Sequence, residues 1–202
     1  MAEASTKLVL ASASPRRREL LARLGIHPQV RPADVDETAI PGEDPAELVL
    51  RLARAKATVS ASLGETEEGG DTRGEVVLAA DTIVALHGTA LGKPRDTDDA
   101  AAMLRKLSGH THQVMTGIAV RRGDRELTDL VTTEVTFREL SEREVAWYLA
   151  TGEPADKAGA YALQGAGAVL VDRVNGSDTN VIGLPLAETV VLLRACGLDP
   201  LA

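Results

Sequence analysis

The sequence predicts an α/β protein, and three observations carry that expectation. Two short apolar runs, Lys7-Leu-Val-Leu-Ala11 and Val76-Val-Leu-Ala-Ala80, have the length and composition of buried strands. Helix-start signals stand at Ser14-Pro15, Asp44-Pro45 and Ser141-Glu-Arg-Glu144, each leading into a stretch with periodic apolar residues. The two kinds of segment alternate along the 202 residues, as they do where helices cover a sheet.

Taken in order, the first strand runs straight into Ser12-Ala-Ser-Pro15. Ser14 is placed as an N-cap with Pro15 at the first helical position, and the helix carries Leu20, Leu21 and Leu24 before Gly25 stops it. Gln29 to Val35 reads as extended, followed by the acidic turn Asp36-Glu37. Asp44-Pro-Ala-Glu47 resembles a capping box, and its helix sets Leu48, Leu52, Ala55, Val59 and Leu63 on one stripe, ended by Gly64. Glu65 to Glu75, rich in Gly, Glu and Thr, reads as a mobile surface loop and not a domain linker. The strand Val76 to Ala80 ends at Asp81-Thr82, and Ile83 to Leu86 continues extended to a turn at His87-Gly88.

Thr97 caps a further helix, closed by Gly109, with Asp98 and Asp99 in its first turn and Arg105 and Lys106 in its last, as the helix dipole favours. His112 to Arg121 and Thr132 to Phe137 read as strands, with Arg122-Gly-Asp124 as a turn. The Ser141 helix ends before Pro154, Ala168 to Val174 is a strand, Asn175-Gly176 a turn, and Val190 to Cys196 lies in the last helix. No repeat interrupts the pattern, and residues 1–202 read as a single domain.

Composition bounds the function. Aromatic residues make up 2%, so Leu, Val, Ile and Ala must fill the core. A formal net charge of −8 argues against coating a nucleic-acid polymer, which needs a basic field, although a local basic pocket can still hold phosphate. Cys196 is the only cysteine and sits in an apolar run, so it reads as a buried thiol, with no intramolecular disulfide and no Cys-rich zinc site. No stretch approaches a membrane span, and the short polar Met1 to Lys7 carries no leader, which makes the cytoplasm the expected location.

Several residues have the character of a phosphate-handling site. Arg16, Arg17 and Arg18 fall in the first turn of a helix, where the dipole disfavours cations. A bound anion would compensate, because helix N-termini attract phosphate and guanidinium adds bidentate bonds; the alternative is three solvated arginines. Asp81-Thr82, directly after an apolar strand, suits catalysis, metal binding or a turn equally. Lys93, in Leu91-Gly-Lys-Pro94, lacks the spacing of a Walker loop and reads as a solvated loop lysine or a phosphate contact. Lys56 falls beside Leu52 and Leu63 at the edge of its helix's apolar stripe, where it must snorkel or meet an anion. Gln164, before Gly165-Ala-Gly167, is placed to read a base edge, a weak signal alone. His110 and His112 share one face of a strand but lack a third ligand, which favours ordinary polar roles over zinc. Trp147 and Tyr148 read as packing or interface residues.

Together these segments resemble the Maf family of nucleoside triphosphate pyrophosphatases. The matching pieces are Leu8-Val-Leu-Ala-Ser-Ala-Ser-Pro-Arg-Arg17, Ala80-Asp-Thr82, Gly92-Lys-Pro94, Met103-Leu-Arg-Lys-Leu-Ser-Gly109, Asp156-Lys-Ala-Gly-Ala-Tyr161, Gln164-Gly165 and Gly183-Leu-Pro185. They follow family order over nearly the whole chain. The resemblance implies a mixed, twisted sheet with flanking helices and two lobes around a deep cleft, of the Maf/ITPase-like kind, often as a homodimer. It implies hydrolysis of a nucleoside triphosphate to the monophosphate and pyrophosphate with Mg²⁺, Mn²⁺ being the alternative ion. On the matching positions, Asp81 is implied as proton acceptor for the attacking water, and Ser12, Arg17, Glu37, Lys56 and Lys93 as phosphate, metal or catalytic contacts. Asp81 and Glu37 are the implied metal ligands, while Arg16, Thr82 and Gln164 match positions that tune substrate choice.

Those three positions agree with the branch acting on dTTP and UTP, whereas Ser177-Asp-Thr-Asn180 departs from the Ser-Tyr start expected of it. The Glu65 to Glu75 loop is also longer than the family pattern. The enzyme alternative is the same reaction on 7-methyl-GTP or another non-standard purine triphosphate. The alternative of another class is a nucleotide-binding regulator of cell division or septum formation.

Overall fold

The computed structural model describes residues 7–66 and 74–202. Among these, seven strands form one mixed sheet: β1 (Lys7–Leu10), β2 (Gln29–Val30), β3 (Glu75–Leu86), β4 (Thr89–Leu91), β5 (Thr111–Arg122), β6 (Arg125–Phe137) and β7 (Val171–Asn175). Their order is β2-β1-β3-β5-β6-β7, with β4 paired to β3. β1 runs parallel to β2 and β3, whereas β4 lies antiparallel to β3 and β7 antiparallel to β6. The helices are α1 (Pro15–Ala22), α2 (Pro45–Thr66), α3 (Thr97–Leu107), α4 (Glu142–Ala150), α5 (Asp178–Ile182) and α6 (Leu186–Ala195). The α/β class expected from the sequence is the class observed.

The chain divides into two compact units. The first comprises residues up to Asp81, Thr116–Val131 and Gly183 onward; the second comprises Thr82–Met115 and Thr132–Ile182. In the first unit, α2 packs through its smallest residues, Ala53 and Ala57, on Val9, Ala11, Val77, Ala79 and Ala119. Small side chains let helix and strand backbones approach closely. At Gly117 of β5 the approach leaves no room for a side chain, since a Cβ there would stand 2.5 Å from the Val49 carbonyl oxygen. A buried ion pair fastens the same unit: Arg31 donates to both carboxylate oxygens of Glu75, at 2.9 and 3.0 Å, and to the Ser60 carbonyl at 3.2 Å.

The second unit contains all four aromatic residues of the chain, Phe137, Trp147, Tyr148 and Tyr161. Three of them are buried with Leu104, Leu107 and Leu170, while Trp147 is 48% exposed. Aliphatic residues therefore fill the first core, but the second is built around rings. Buried His112 meets Phe137 and Tyr161 edge-on, its ring centroid 5.1 and 5.4 Å from theirs. Its Nε2 shares a hydrogen bond of 2.9 Å with the Tyr161 hydroxyl, and burial pushes its pKa from 6.5 down to about 4. His110 precedes β5 and is exposed, with its ring near that of His87, and no group of three or more metal-ligating side chains occurs among the described residues.

Several boundaries differ from expectation for identifiable reasons. α2 continues past Gly64 to Thr66, because that glycine makes room for Arg31: a Cβ would stand 2.3 Å from the guanidinium. Asp96, not Thr97, caps α3, accepting from the Asp99 N–H at 2.8 Å. Ser14 does occupy the N-cap position of α1 but makes no side-chain cap. The extended piece after Pro28 pairs only over Gln29–Val30, and the segment before Val171 is a 3₁₀ turn, Ala166–Leu170. β6 starts at Arg125, seven residues earlier than the apolar pattern indicates, because its first half is only partly buried. The capping box of α4 is present in full, with Ser141 and Glu144 exchanging bonds. Of the expected Glu65 to Glu75 loop, Glu65 and Thr66 end α2 and Glu75 opens β3; residues 67–73, like Met1 to Thr6, lie outside the described residues.

Two outcomes test this account of packing. Gly117→Ala should destabilise the protein by about 2 kcal/mol in urea denaturation, because a backbone has to move. For His112, the neutral ring is the folded form, so stability is complete above pH 6.5 and falls as pH drops toward 4. Between pH 7.5 and 5, the parent should lose about 2 kcal/mol more stability than His112→Gln, measured by urea titration at each pH.

Candidate active site

The site grows from the end of β1. The strand delivers Ser12, and Pro15 starts α1 so that Arg16 and Arg17 fall in its first turn, which holds no acidic residue. Ser12 is buried, and its Oγ accepts from the Ser14 N–H at 3.2 Å and from Arg17 Nη1 at 3.1 Å. Arg17 Nε donates to the Gly183 carbonyl at 2.8 Å, which fixes the guanidinium plane from a second side. Burial lowers the Arg17 pKa from its ordinary value; Asp81 and Glu37 oppose that shift and Arg16 adds to it. The guanidinium stays charged, because arginine keeps its proton in proteins.

β3 contributes Asp81. The sequence places this residue after a strand, but β3 runs through it to Leu86, with Asp81 and Thr82 as its two partly exposed central positions. Such a break in an otherwise buried strand marks a place where the sheet offers polar groups. α2 contributes Lys56, between the close-packed Ala53 and Ala57. Lys56 Nζ stands 2.6 Å from Asp81 Oδ1 and 2.6 Å from Glu37 Oε1. The lysine side chain is 11% exposed and Asp81 16%, whereas Glu37 is 56% exposed. One buried ammonium therefore bridges two carboxylates, the requirement for holding a lysine at the edge of an apolar stripe.

The loop bearing Glu37 is also held by α2. Arg51 Nη2 donates to the Thr38 carbonyl at 3.1 Å, and Arg51 grips Glu43 at 2.6 Å. The Thr38 N–H donates to Asp36 Oδ1 at 2.9 Å, closing the turn around Glu37. Ser12, Arg16, Arg17, Glu37, Lys56 and Asp81 all lie in the first unit, where the Lys56 bridge and the fields acting on Arg17 bring them together.

Thr82, Lys93 and Gln164 belong to the second unit. Lys93 is exposed in the loop after β4, and the neighbouring Gly92 carbonyl accepts from the Gly159 N–H at 3.0 Å. Gln164 is exposed between Ala162 and the 3₁₀ turn. Two supports of the site were not legible in the sequence. The Gly183 carbonyl that holds Arg17 is 166 residues away, beyond any local pattern. The Tyr148 and Glu153 pair that binds the backbone on both sides of Gln164 shows no periodic signal either.

Residues 7–196 match the family model described as Maf-like protein. The dTTP/UTP pyrophosphatase of Anaeromyxobacter dehalogenans (strain 2CP-C) is 55% identical over 195 residues, covering 95% of this chain and 94% of that protein. That of Myxococcus xanthus (strain DK1622) is 57% identical over 193 residues, covering 96% and 94%. That of Geobacter sulfurreducens is 50% identical over 193 residues, covering 95% and 97%. The family model spans every residue of the site just described, the relatives cover nearly the whole chain, and the chain belongs to the Maf family.

Proposed function

We propose that this chain hydrolyses dTTP and UTP between the α- and β-phosphates, giving the nucleoside monophosphate and pyrophosphate. The observation that carries the chemistry is the Lys56 ammonium bridging Asp81 and Glu37 beside Arg17. The names of the relatives, dTTP/UTP pyrophosphatases, support the substrate. Arg16, Thr82 and Gln164, the positions matched to substrate choice, agree with that pyrimidine reading.

Each residue has a task that follows from its surroundings. Arg17, oriented by Ser12 and the Gly183 carbonyl, supplies a fixed guanidinium for phosphate oxygens. Lys56 steadies both carboxylates and offsets triphosphate charge, and Lys93 adds a further positive charge from its exposed loop. The Asp81 carboxylate orients the attacking water and accepts its proton as the water oxygen approaches the α-phosphorus. Beyond that proton transfer, attack in line with the leaving pyrophosphate requires positioning and charge neutralisation from the protein.

Asp81 and Glu37 also fit a hard divalent cation. Glu37 Oε1 and Asp81 Oδ1 each lie 2.6 Å from Lys56 Nζ, so the two carboxylates stand close enough together to share a cation beside the ammonium, and carboxylate oxygen is the donor that Mg²⁺ takes. Asp81 and Glu37 would hold the ion on the protein side, and the substrate phosphates would supply further oxygens. The bound ion would neutralise developing charge on the phosphates. Mn²⁺ suits the same donors.

Asp81→Asn should keep the parent circular dichroism, with a lower melting temperature because Lys56 loses one of its two carboxylates, and lose turnover by about a thousandfold. Turnover near the parent level would remove Asp81 from the mechanism. Across a panel of triphosphates with Mg²⁺, followed by pyrophosphate release, kcat/KM should be highest for dTTP and UTP. A higher value for purine triphosphates, 7-methyl-GTP included, would overturn the pyrimidine reading.

A further inference from the structure

The exposed Gln164 stands on a loop that two side chains of the second unit hold from beneath. α4 ends at Ala150, and Thr151 Oγ1 donates to the Tyr148 carbonyl at 2.6 Å while accepting from the Glu153 N–H at 3.1 Å. Glu153 is thereby fixed just past the helix, with its carboxylate turned back toward Tyr148. Oε1 accepts from the Tyr148 hydroxyl at 2.6 Å and the Gly167 N–H at 3.0 Å, and Oε2 accepts from the Ala166 N–H at 2.9 Å. The Tyr148 hydroxyl in turn accepts from the Ala162 N–H at 3.1 Å.

Backbone donors two residues before Gln164 and two and three residues after it are thus bound by one connected pair. The fit is tight: a Cβ on Gly165 would stand 1.9 Å from Glu153 Oε2, so the loop can lie against the carboxylate only without a side chain there. Against the desolvation of burial, the bonds from Tyr148, Gly167 and Ala166 and the charge of Lys157 hold the Glu153 pKa below the ordinary carboxylate value. The carboxylate is therefore ionised at neutral pH, when it accepts charge-assisted bonds most strongly.

We propose that Glu153 is a positioning residue for substrate selection: through Ala166, Gly167 and Tyr148 it holds the Gln164 loop in one posture, ready to meet the pyrimidine base. The inference rests on the reading that Gln164 selects the base. A side-chain amide discriminates between bases only if its donor and acceptor are held in place: a mobile loop lets the amide turn to suit either base edge, and the cost of ordering it falls on the base it hydrogen-bonds and not on one it leaves unengaged. Glu153 itself touches no substrate in this scheme and acts entirely through Gln164.

The test compares the ratio of kcat/KM for UTP to that for GTP, with Mg²⁺, in the parent, Glu153→Ala, Gln164→Ala and the double variant. Glu153→Ala should lower the ratio about tenfold, mainly through a higher KM for UTP, and the double variant should fall no lower than Gln164→Ala alone. Glu153→Gln, which retains one acceptor oxygen, should fall between parent and Glu153→Ala. If Gln164→Ala lowers the ratio while Glu153→Ala stays within about twofold of the parent, Glu153 has no positioning role and selection by Gln164 stands. A parent-like ratio in Gln164→Ala removes Gln164 as the selector, and the inference with it. Losses that multiply in the double variant also overturn it, since Glu153 would then act elsewhere. Should Glu153→Ala not fold, Glu153→Gln carries the comparison together with amide hydrogen exchange. Faster exchange at Ala166 and Gly167 alongside a lowered ratio supports the inference, and parent-like values of either overturn it.

Discussion

A lysine ammonium taken out of water needs opposite charge, and the arrangement of the first unit follows from how Lys56 meets that need. Its two partners come from distant stretches of chain, Asp81 from the middle of β3 and Glu37 from the loop before α2. Bringing them to one nitrogen requires α2 to lie close on the sheet, and alanines at positions 53 and 57 allow it. The same helix then reaches back through Arg51 to hold the loop on which Glu37 stands. Breaking the bridge on one side would leave a charge poorly solvated, so the three groups support one another's positions.

The cations in the first turn of α1 have a related explanation. They oppose the helix dipole, and no acidic residue accompanies them in that turn. Arg17 escapes part of the cost by turning to Ser12 and the Gly183 carbonyl, and by sharing the field of Asp81 and Glu37. Arg18 points to solvent.

The α/β class and most helices were legible in the sequence because capping residues and apolar runs act locally. Asp98, Asp99, Arg105 and Lys106 fall where expected, and the Ser141 capping box forms as written. Two of the misread boundaries share one cause: a residue with a familiar local meaning serves a distant partner. Gly64 makes room for Arg31, and Asp81 interrupts a strand to meet Lys56, which a linear reading takes as the strand's end. The sequence reads Lys56 as a lysine that must snorkel or meet an anion, but which carboxylates it meets depends on sheet order, and no spacing reveals that. The Glu153 pair stayed hidden for the same reason, since backbone donors carry no sequence signature.

The uneven distribution of rings has a practical consequence. Every residue that absorbs appreciably near 280 nm belongs to the second unit, and Trp147, the strongest emitter, is half open to solvent there. Intrinsic fluorescence and near-ultraviolet dichroism therefore report on the neighbourhood of α4 and Tyr161 alone. The unit that holds Lys56, Asp81 and Arg17 is optically silent, so events confined to it must be followed by calorimetry, by NMR or by a chromophore introduced for the purpose.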